Sequence, residues 1–402
     1  MIPAFSIARF PRIEFGAGSI GKLPALAAGY GNTVLLVTGA QALNRSGVWP
    51  ALVQALGTAG LRCLRVTVKG EPSPQMVDDA VAIHRDNAVD LVIGIGGGSV
   101  LDAAKAISGL LRSGDPVRDY LEGVGPEKTY HGPAVPFIAV PTTAGTGSEA
   151  TKNAVLSVHG RDGFKKSFRD EQLVPEYALI DPDLLASCPP ALIAADGMDA
   201  LTQLLESLVS IRANPMTEAL AWSGLEAVRD SLLPWYEGDG DPAAARAGMA
   251  YAALMSGITL AQTGLGSVHG LASPLGAFFP VPHGVVCGTL LGAATRVNID
   301  AMQAREPDNP ALEKYAQVAE LLCRQGFSTP EQAREGLLEL LDNRTQRLQL
   351  PLLDEYGITP ADFAHIVAHA RGSSMKTNPV VLSDEEITAV LEQRCNTDWA
   401  RP

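Results

Sequence analysis

At 402 residues the chain is longer than one ordinary hydrophobic core organises, so two domains are expected. Its 44 acidic against 31 basic residues leave a net charge of −13, which argues against an extended nucleic-acid footprint or an anionic membrane surface as partner. No apolar stretch approaches a membrane span, no basic-then-apolar leader opens the chain, and the five cysteines form no Cys-x-x-Cys pair; a reduced, cytoplasmic protein is expected.

In chain order, residues 5–15 mix apolar and charged side chains around Pro11 and predict an edge ribbon. Residues 33–38 read as the first buried strand, with Gly39 following where a helix would begin. Two more strands are expected at 62–68 and 91–95, with helical stretches near 48–57 and 75–86 between them. Strands alternating with helices predict a parallel, doubly wound sheet. The stretch that organises the rest is Asp-Leu-Val-Ile-Gly-Ile-Gly-Gly-Gly-Ser-Val-Leu-Asp-Ala-Ala-Lys-Ala-Ile at 90–107. Its apolar run lacks polar alternation, as in a strand covered on both faces. Gly96, Gly97 and Gly98 remove every Cβ from the turn, so a ligand can approach the backbone, and Ser99 with Asp102 reads as a helix-capping pair. Free amides at a helix N-terminus suit a dinucleotide pyrophosphate. The usual Gly-x-Gly-x-x-Gly fingerprint is not met, because counting from Gly94 puts Ser99 at its third glycine. A strand at 136–140 runs into Pro141-Thr-Thr-Ala-Gly-Thr-Gly-Ser-Glu. Two such loops at strand C-termini place a ligand on one edge of the sheet.

Beyond residues 178–181, Pro182, Pro189 and Pro190 punctuate a boundary, and the remainder carries helical periodicity, with exposed loops expected at 239–247 and 306–310. The expected domains are therefore 1–188, α/β, and 189–402, all-helical. Asp199 and Gln203 are four apart, which puts both on one helix face; the alternative has Asp196 capping that helix and Asp199 supporting its positive end. His269 and His283 lie in a glycine- and proline-rich, otherwise apolar passage. His283 follows Pro282 and sits near a helix N-terminus, which disfavours protonation, and a neutral imidazole is a metal ligand. A single histidine there is more often a hydrogen-bonded core residue; two of them with the Asp/Gln pair predict a mononuclear divalent metal site. His365 and His369 share a helix face without a third ligand and read as pocket-wall or surface residues. Lys165 is a candidate for cofactor contact, and Lys166 for a solvated face.

Together these motifs resemble the iron-containing (group III) alcohol dehydrogenases, related in fold to dehydroquinate synthase and glycerol dehydrogenase. The resemblance is carried by Phe15-Gly-Ala-Gly, Gly96-Gly-Gly-Ser with Asp102, the Pro141 to Glu149 loop, Ala178-Leu-Ile-Asp-Pro, Gly197-Met-Asp-Ala-Leu-Thr and the passage from His269 to His283, and it spans essentially the whole chain. It implies a nucleotide-binding α/β domain followed by an all-α domain, a dehydroquinate synthase-like architecture with the active site in the cleft between. It implies pyrophosphate at Gly97, Gly98 and Ser99, with Thr142, Thr143 and Thr146 around the cofactor and Lys165 as the family lysine. It also implies Fe2+ or Zn2+ on Asp199, Gln203, His269 and His283. Three residues depart from the family pattern. Gln203 stands where a histidine is usual and offers a carbonyl oxygen, a weaker ligand for these ions than imidazole. Ser273 replaces the histidine close to the nicotinamide, so any proton relay there must be rebuilt. Gly39 replaces the aspartate that holds the ribose 2′-hydroxyl in NAD-preferring members, so NAD and NADP are both admitted. The implied activity is reversible hydride transfer between NAD(P) and a small alcohol or aldehyde, in a homodimer paired through the N-terminal ribbon. Phe164, Phe278, Met375 and Lys376 are pocket candidates by position. Three alternatives stay open: a metal-independent reductase of the maleylacetate reductase type using His283; a dehydroquinate-synthase-like lyase, for which the helical half lacks a basic cluster; and a catalytically impaired nucleotide-binding homologue.

Overall fold

The computed structural model describes residues 2, 4–40 and 47–395. In its first half the strands are β1 (Arg12–Phe15), β2 (Thr33–Gly39), β3 (Arg62–Val68), β4 (Leu91–Gly96), β5 (Phe137–Pro141), β6 (Asn153–Val158), β7 (Phe164–Arg169) and β8 (Tyr177–Ile180). Six of them form one sheet in the order β1-β8-β5-β4-β2-β3, with every neighbouring pair parallel. Among the described residues the α-helices of this half are α1 (Leu23–Ala28), α2 (Trp49–Thr58), α3 (Pro74–His84) and α4 (Gly98–Leu110). Alternate side chains of the central strands feed two separate cores. Leu35, Val37 and Val92 pack with Val77 and Val81 of α3 and with Leu101 and Ile107 of α4. Val34, Leu36, Ile93 and Ile95 enter a second core that continues into the helical half through Met198 and Leu201. That is the two-residue period of a strand covered on both sides.

The chain passes from β2 outward to β3, then returns to lay β4 on the other side of β2. This reversal is a topological switch point, where open α/β sheets bind ligands. The ends of β2 and β4, Gly39 and Gly96, meet there. The predicted strands thus appear at nearly the predicted positions.

Nine helices among the described residues make the second half: α5 (Pro190–Val209), α6 (Pro215–Glu237), α7 (Pro242–Thr263), α8 (Ser267–Phe278), α9 (His283–Arg305), α10 (Pro310–Cys323), α11 (Pro330–Arg347), α12 (Pro360–His369) and α13 (Asp384–Glu392). Six of these start on proline, whose fixed φ and missing N–H cost nothing at a first helical position. Asn214, Asp241, Asn309 and Thr329 supply side-chain caps just ahead of four of them.

Several local expectations are corrected. Ser99 and Asp102 do not cap α4: the cap position is Gly97, with no side-chain bond. Asp102 instead accepts from Ser148 Oγ at 2.5 Å and from the Val155 amide at 3.2 Å, because the next loop folds back over the helix start. Asp196 lies inside α5, beyond the Pro189 cap, so the capping alternative for Asp196 and Asp199 is overturned. The loop expected at 239–247 is helical from Pro242, after the Asp241 side chain accepts from the Ala243 and Ala244 amides. The charged run around Lys165 and Lys166 is strand β7, paired antiparallel with β6.

Candidate active site

The glycine turn and the threonine loop are sewn together from beneath. Lys105, one turn into α4 beyond Asp102 and 0 % exposed, donates to Ser148 Oγ at 2.7 Å, Thr151 Oγ1 at 2.8 Å and the Asn153 carbonyl at 2.7 Å. Three acceptors close to one ammonium let a buried lysine stay satisfied. The loop then presses on the turn. A Cβ at Gly98 would lie 2.6 Å from both Oγ1 and Cγ2 of Thr146, and one at Gly96 would lie 2.5 Å from Val100. The missing Cβ atoms at these two positions therefore serve close packing within the protein, whereas the sequence reading gave that space to a ligand. Gly98, Ser99 and Thr146 still line the cleft.

That cleft, about 630 Å³, runs between the sheet half and the helical half. Its far wall carries Gln203, His269, Ser273 and His283. Behind them, on α5, Asp199 is 0 % exposed, and neither carboxylate oxygen has a hydrogen-bond partner. Its Oδ1 lies 3.3 Å from His269 Nε2 and 3.9 Å from His283 Nε2. The buried thiol of Cys287, four residues after His283 on α9, completes the group: Sγ is 3.6 Å from His269 Nε2 and 3.7 Å from His283 Nε2. One donor atom from each of the four residues lies within 4.8 Å of the others. A carboxylate with two empty oxygens between two imidazoles is a set of lone pairs converging on one point, which a cation satisfies.

Without an ion the four groups favour different protonation states, burial pushing the Cys287 thiol up to about 12. Burial pushes the Asp199 carboxyl up, but His283 and His269 outweigh it and hold it below the usual carboxylate range. Burial likewise pushes His269 down, and Cys287 and Glu206 overcome it, leaving His269 well above the ordinary histidine value. His283 goes the other way: burial, against Asp199 and with Lys165 and His269, brings it to about 4. Glu206 fixes the His269 ring, its Oε2 lying 2.6 Å from Nδ1 while its Oε1 accepts from the Val268 amide at 2.7 Å. Since a carboxylate only accepts, Nδ1 carries a proton; the raised His269 value keeps a second one on Nε2 while no ion is bound, and a cation would have to displace it to reach that lone pair.

Gln203 is buried and takes a hydrogen bond from Ser256 Oγ on its carbonyl oxygen at 2.6 Å. Ser273 donates to the Lys165 carbonyl at 3.0 Å, and Lys165 Nζ is paired with Glu71 at 2.6 Å. Gly39, Gly96 and Gly97 lie at the switch point just outside the cleft lining, with Thr143 against Gly97. Thr142, whose amide donates to the Gly96 carbonyl at 3.0 Å, buries an Oγ1 that has no partner. Of the pocket candidates, Lys376 lines the cleft; Phe164 packs against Arg118, Phe278 against His365 and His369, and Met375 beneath Gly270. Lys166, expected on a solvated face, lines the cleft too. Cys287 and Glu206 were missed from sequence. The signal for Cys287 was its four-residue spacing from His283, and for Glu206 its seven-residue spacing from Asp199, two turns along the same face.

A parallel sheet with a glycine turn at a helix N-terminus, facing a histidine–carboxylate cluster across a cleft, is the architecture of a two-part nucleotide-binding oxidoreductase. Comparison with known proteins narrows this. Residues 11–182 match the family described as iron-containing alcohol dehydrogenase, and residues 193–395 match the C-terminal part of the Fe-containing alcohol dehydrogenase family. The chain belongs to this family and is an oxidoreductase acting on alcohols. It is 34% identical over 330 residues to alcohol dehydrogenase 4 of Saccharomyces cerevisiae (strain YJM789), covering 81% of each chain. It is 33% identical over 332 residues to lactaldehyde reductase of Escherichia coli (strain K12), covering 81% of this chain and 82% of that one. A crystal structure of a 1,3-propanediol oxidoreductase superposes with a TM-score of 0.86 at 29% identity, over 98% of this chain and 100% of the other.

Proposed function

We propose that this chain is an NAD(P)-dependent alcohol dehydrogenase and aldehyde reductase for a small alcohol or aldehyde, with Fe2+ or Zn2+ at Asp199, His269 and His283, and Gln203 beside them. When bound, the dinucleotide would accept the hydride in alcohol oxidation or supply it in aldehyde reduction, and the cation would polarise the substrate oxygen. The observation that carries this reading is the unpartnered Asp199 carboxylate between two imidazoles on the wall of the cleft onto which the glycine turn opens.

The chain's own residues do the rest. Gly97, Gly98 and Ser99 present the free amides of α4 to a pyrophosphate. Asp102, through Ser148, fixes the loop in which Thr142, Thr143 and Thr146 border the nucleotide. Gly39 leaves the ribose edge without a carboxylate, so either nicotinamide nucleotide enters. Lys165, tethered by Glu71 and by Ser273 at its carbonyl, sets the cleft wall opposite the histidines. His269 is held in one tautomer by Glu206, and His283 stays neutral. Residues 1–188 act as the nucleotide half and 189–402 as the substrate half. Exposed Ile13 and Phe15 on edge strand β1 support pairing of two copies through the N-terminal ribbon, and five free cysteines support residence in the reducing cytoplasm.

One preparation tests the reading. The parent protein sediments at twice the chain mass and oxidises small primary alcohols with NAD or NADP. His269→Ala retains nucleotide affinity and loses turnover. Unchanged turnover in that variant would rule out the cluster as the reacting centre.

A further inference from the structure

We propose that Cys287 is a thiolate ligand of the cleft cation, so that the ion is held by Asp199, His269, His283 and Cys287, a one-oxygen, two-nitrogen, one-sulfur set suited to zinc, which would take the substrate oxygen by expanding to five ligands. This rests on the reading of the cluster as a cation site given above and goes beyond it by naming the fourth ligand. That ligand is sulfur, at a position the family resemblance did not mark, in place of Gln203.

The geometry carries the assignment. Zinc–nitrogen and zinc–oxygen bonds of about 2.0–2.1 Å and zinc–sulfur bonds of about 2.3 Å around a tetrahedron put nitrogen about 3.4 Å from oxygen and about 3.5 Å from sulfur. The corresponding separations here are 3.3 and 3.9 Å from Asp199 Oδ1 to the two imidazole nitrogens, and 3.6 and 3.7 Å from Cys287 Sγ to the same two. Sulfur is thus placed at ligand-edge distance from both histidines at once.

Hydrogen bonding within the group does not account for this arrangement. Neither Asp199 oxygen makes a hydrogen bond of good geometry, and His269, its Nδ1 committed to Glu206, can turn only Nε2 to the group. A thiol has one proton to give, and it cannot serve these acceptors and His283 together. A divalent ion can, with the thiol proton released to buffer as the Cys287 sulfur–metal bond forms. Gln203 is less free for the role, its carbonyl oxygen already taking the Ser256 hydroxyl at 2.6 Å. The thiolate also shifts metal preference, since sulfur ligands favour zinc over the harder ferrous ion held by nitrogen and oxygen alone.

The test replaces the native ion in the full-length protein with Co2+ and reads the near-ultraviolet absorption, where a thiolate–cobalt charge-transfer band arises only from a bound sulfur. The other four cysteines lie outside the cluster, so a band reports Cys287. Expected are one equivalent of cobalt and a strong band in the parent, loss of the band in Cys287→Ser, and its retention in Gln203→Ala. Stoichiometric cobalt without a band in the parent would overturn the sulfur assignment and leave the cation site standing. No cobalt, zinc or iron bound by the parent would overturn the cation site itself. Because the parent spectrum alone decides for or against sulfur, a Cys287→Ser protein that fails to fold does not rescue the proposal.

Discussion

At the scale of single residues, the site depends on a side chain that never reaches the cleft's reacting atoms. Glu206 holds the His269 ring by Nδ1 and the first turn of α8 by the Val268 amide. Outer partners of this kind fix ligand orientation and basicity, and losing one typically costs 10–100-fold in metal affinity. Glu206→Ala is therefore expected to weaken zinc binding by roughly that factor in a chelator competition while nucleotide affinity stays at the parent value. Equal zinc affinity in the two proteins would mean that α8 packing alone orients the ring. Asp199, His269 and His283, which the fold brings together, could be singled out in the sequence because two histidines in an apolar passage stood beside an (i, i+4) Asp/Gln pair. Glu206 was not, since a glutamate two turns along a helix reads as an ordinary amphipathic position, and only folding aims it at a histidine 63 residues away. Cys287 was passed over because cysteines were weighed as pairs with one another rather than with histidine.

At the scale of elements, the central strands β2, β4 and β5 were legible because each is a largely apolar run buried on both faces. The β6–β7 hairpin was not. Its burial pattern does not alternate cleanly, and Ser157, Lys165, Lys166 and Ser167 face a polar cleft where a solvated strand would face water. Polar residues on a cleft wall cannot be told by period from polar residues in a loop. The glycine turn shows a related confusion, since its lack of side chains is read equally well as room for a ligand or as room for the next loop. Packing decides at Gly98, where Thr146 occupies the space. Gly98→Ala is expected to destabilise the fold by about 1–3 kcal/mol and to weaken dinucleotide binding. Adding Thr146→Ala, which removes both clashing atoms, should recover much of the stability in a denaturant titration. If Gly98→Ala unfolds at the parent denaturant concentration, the loop does not press on the turn as described.

At the scale of the whole molecule, the two halves meet backbone to backbone where the threonine loop reaches α7. A Cβ at Gly147 would lie 2.3 Å from the backbone of Gly257, and one at Gly257 would lie 2.2 Å from the Gly147 carbonyl oxygen. Two backbones therefore touch across the junction. Two residues on sits Glu149, 3 % exposed, whose carboxyl is pushed by burial from 4.5 to about 7 despite its own backbone amide and Lys105. The sign of its effect on stability follows from proton binding. Between pH 4.5 and about 7 the unfolded chain has lost the Glu149 proton while the folded chain keeps it. Stability falls as pH rises through that window and stays lower above it. At about 1.4 kcal/mol per pH unit the loss is on the order of 3 kcal/mol. Glu149→Gln keeps the shape and has no charge to bury at any pH, so it should melt above the parent at pH 8 and alongside it near pH 4.5. A parent that melts no lower than the variant at pH 8 would mean the carboxylate finds a countercharge at the junction, with Lys105 the nearest cationic candidate.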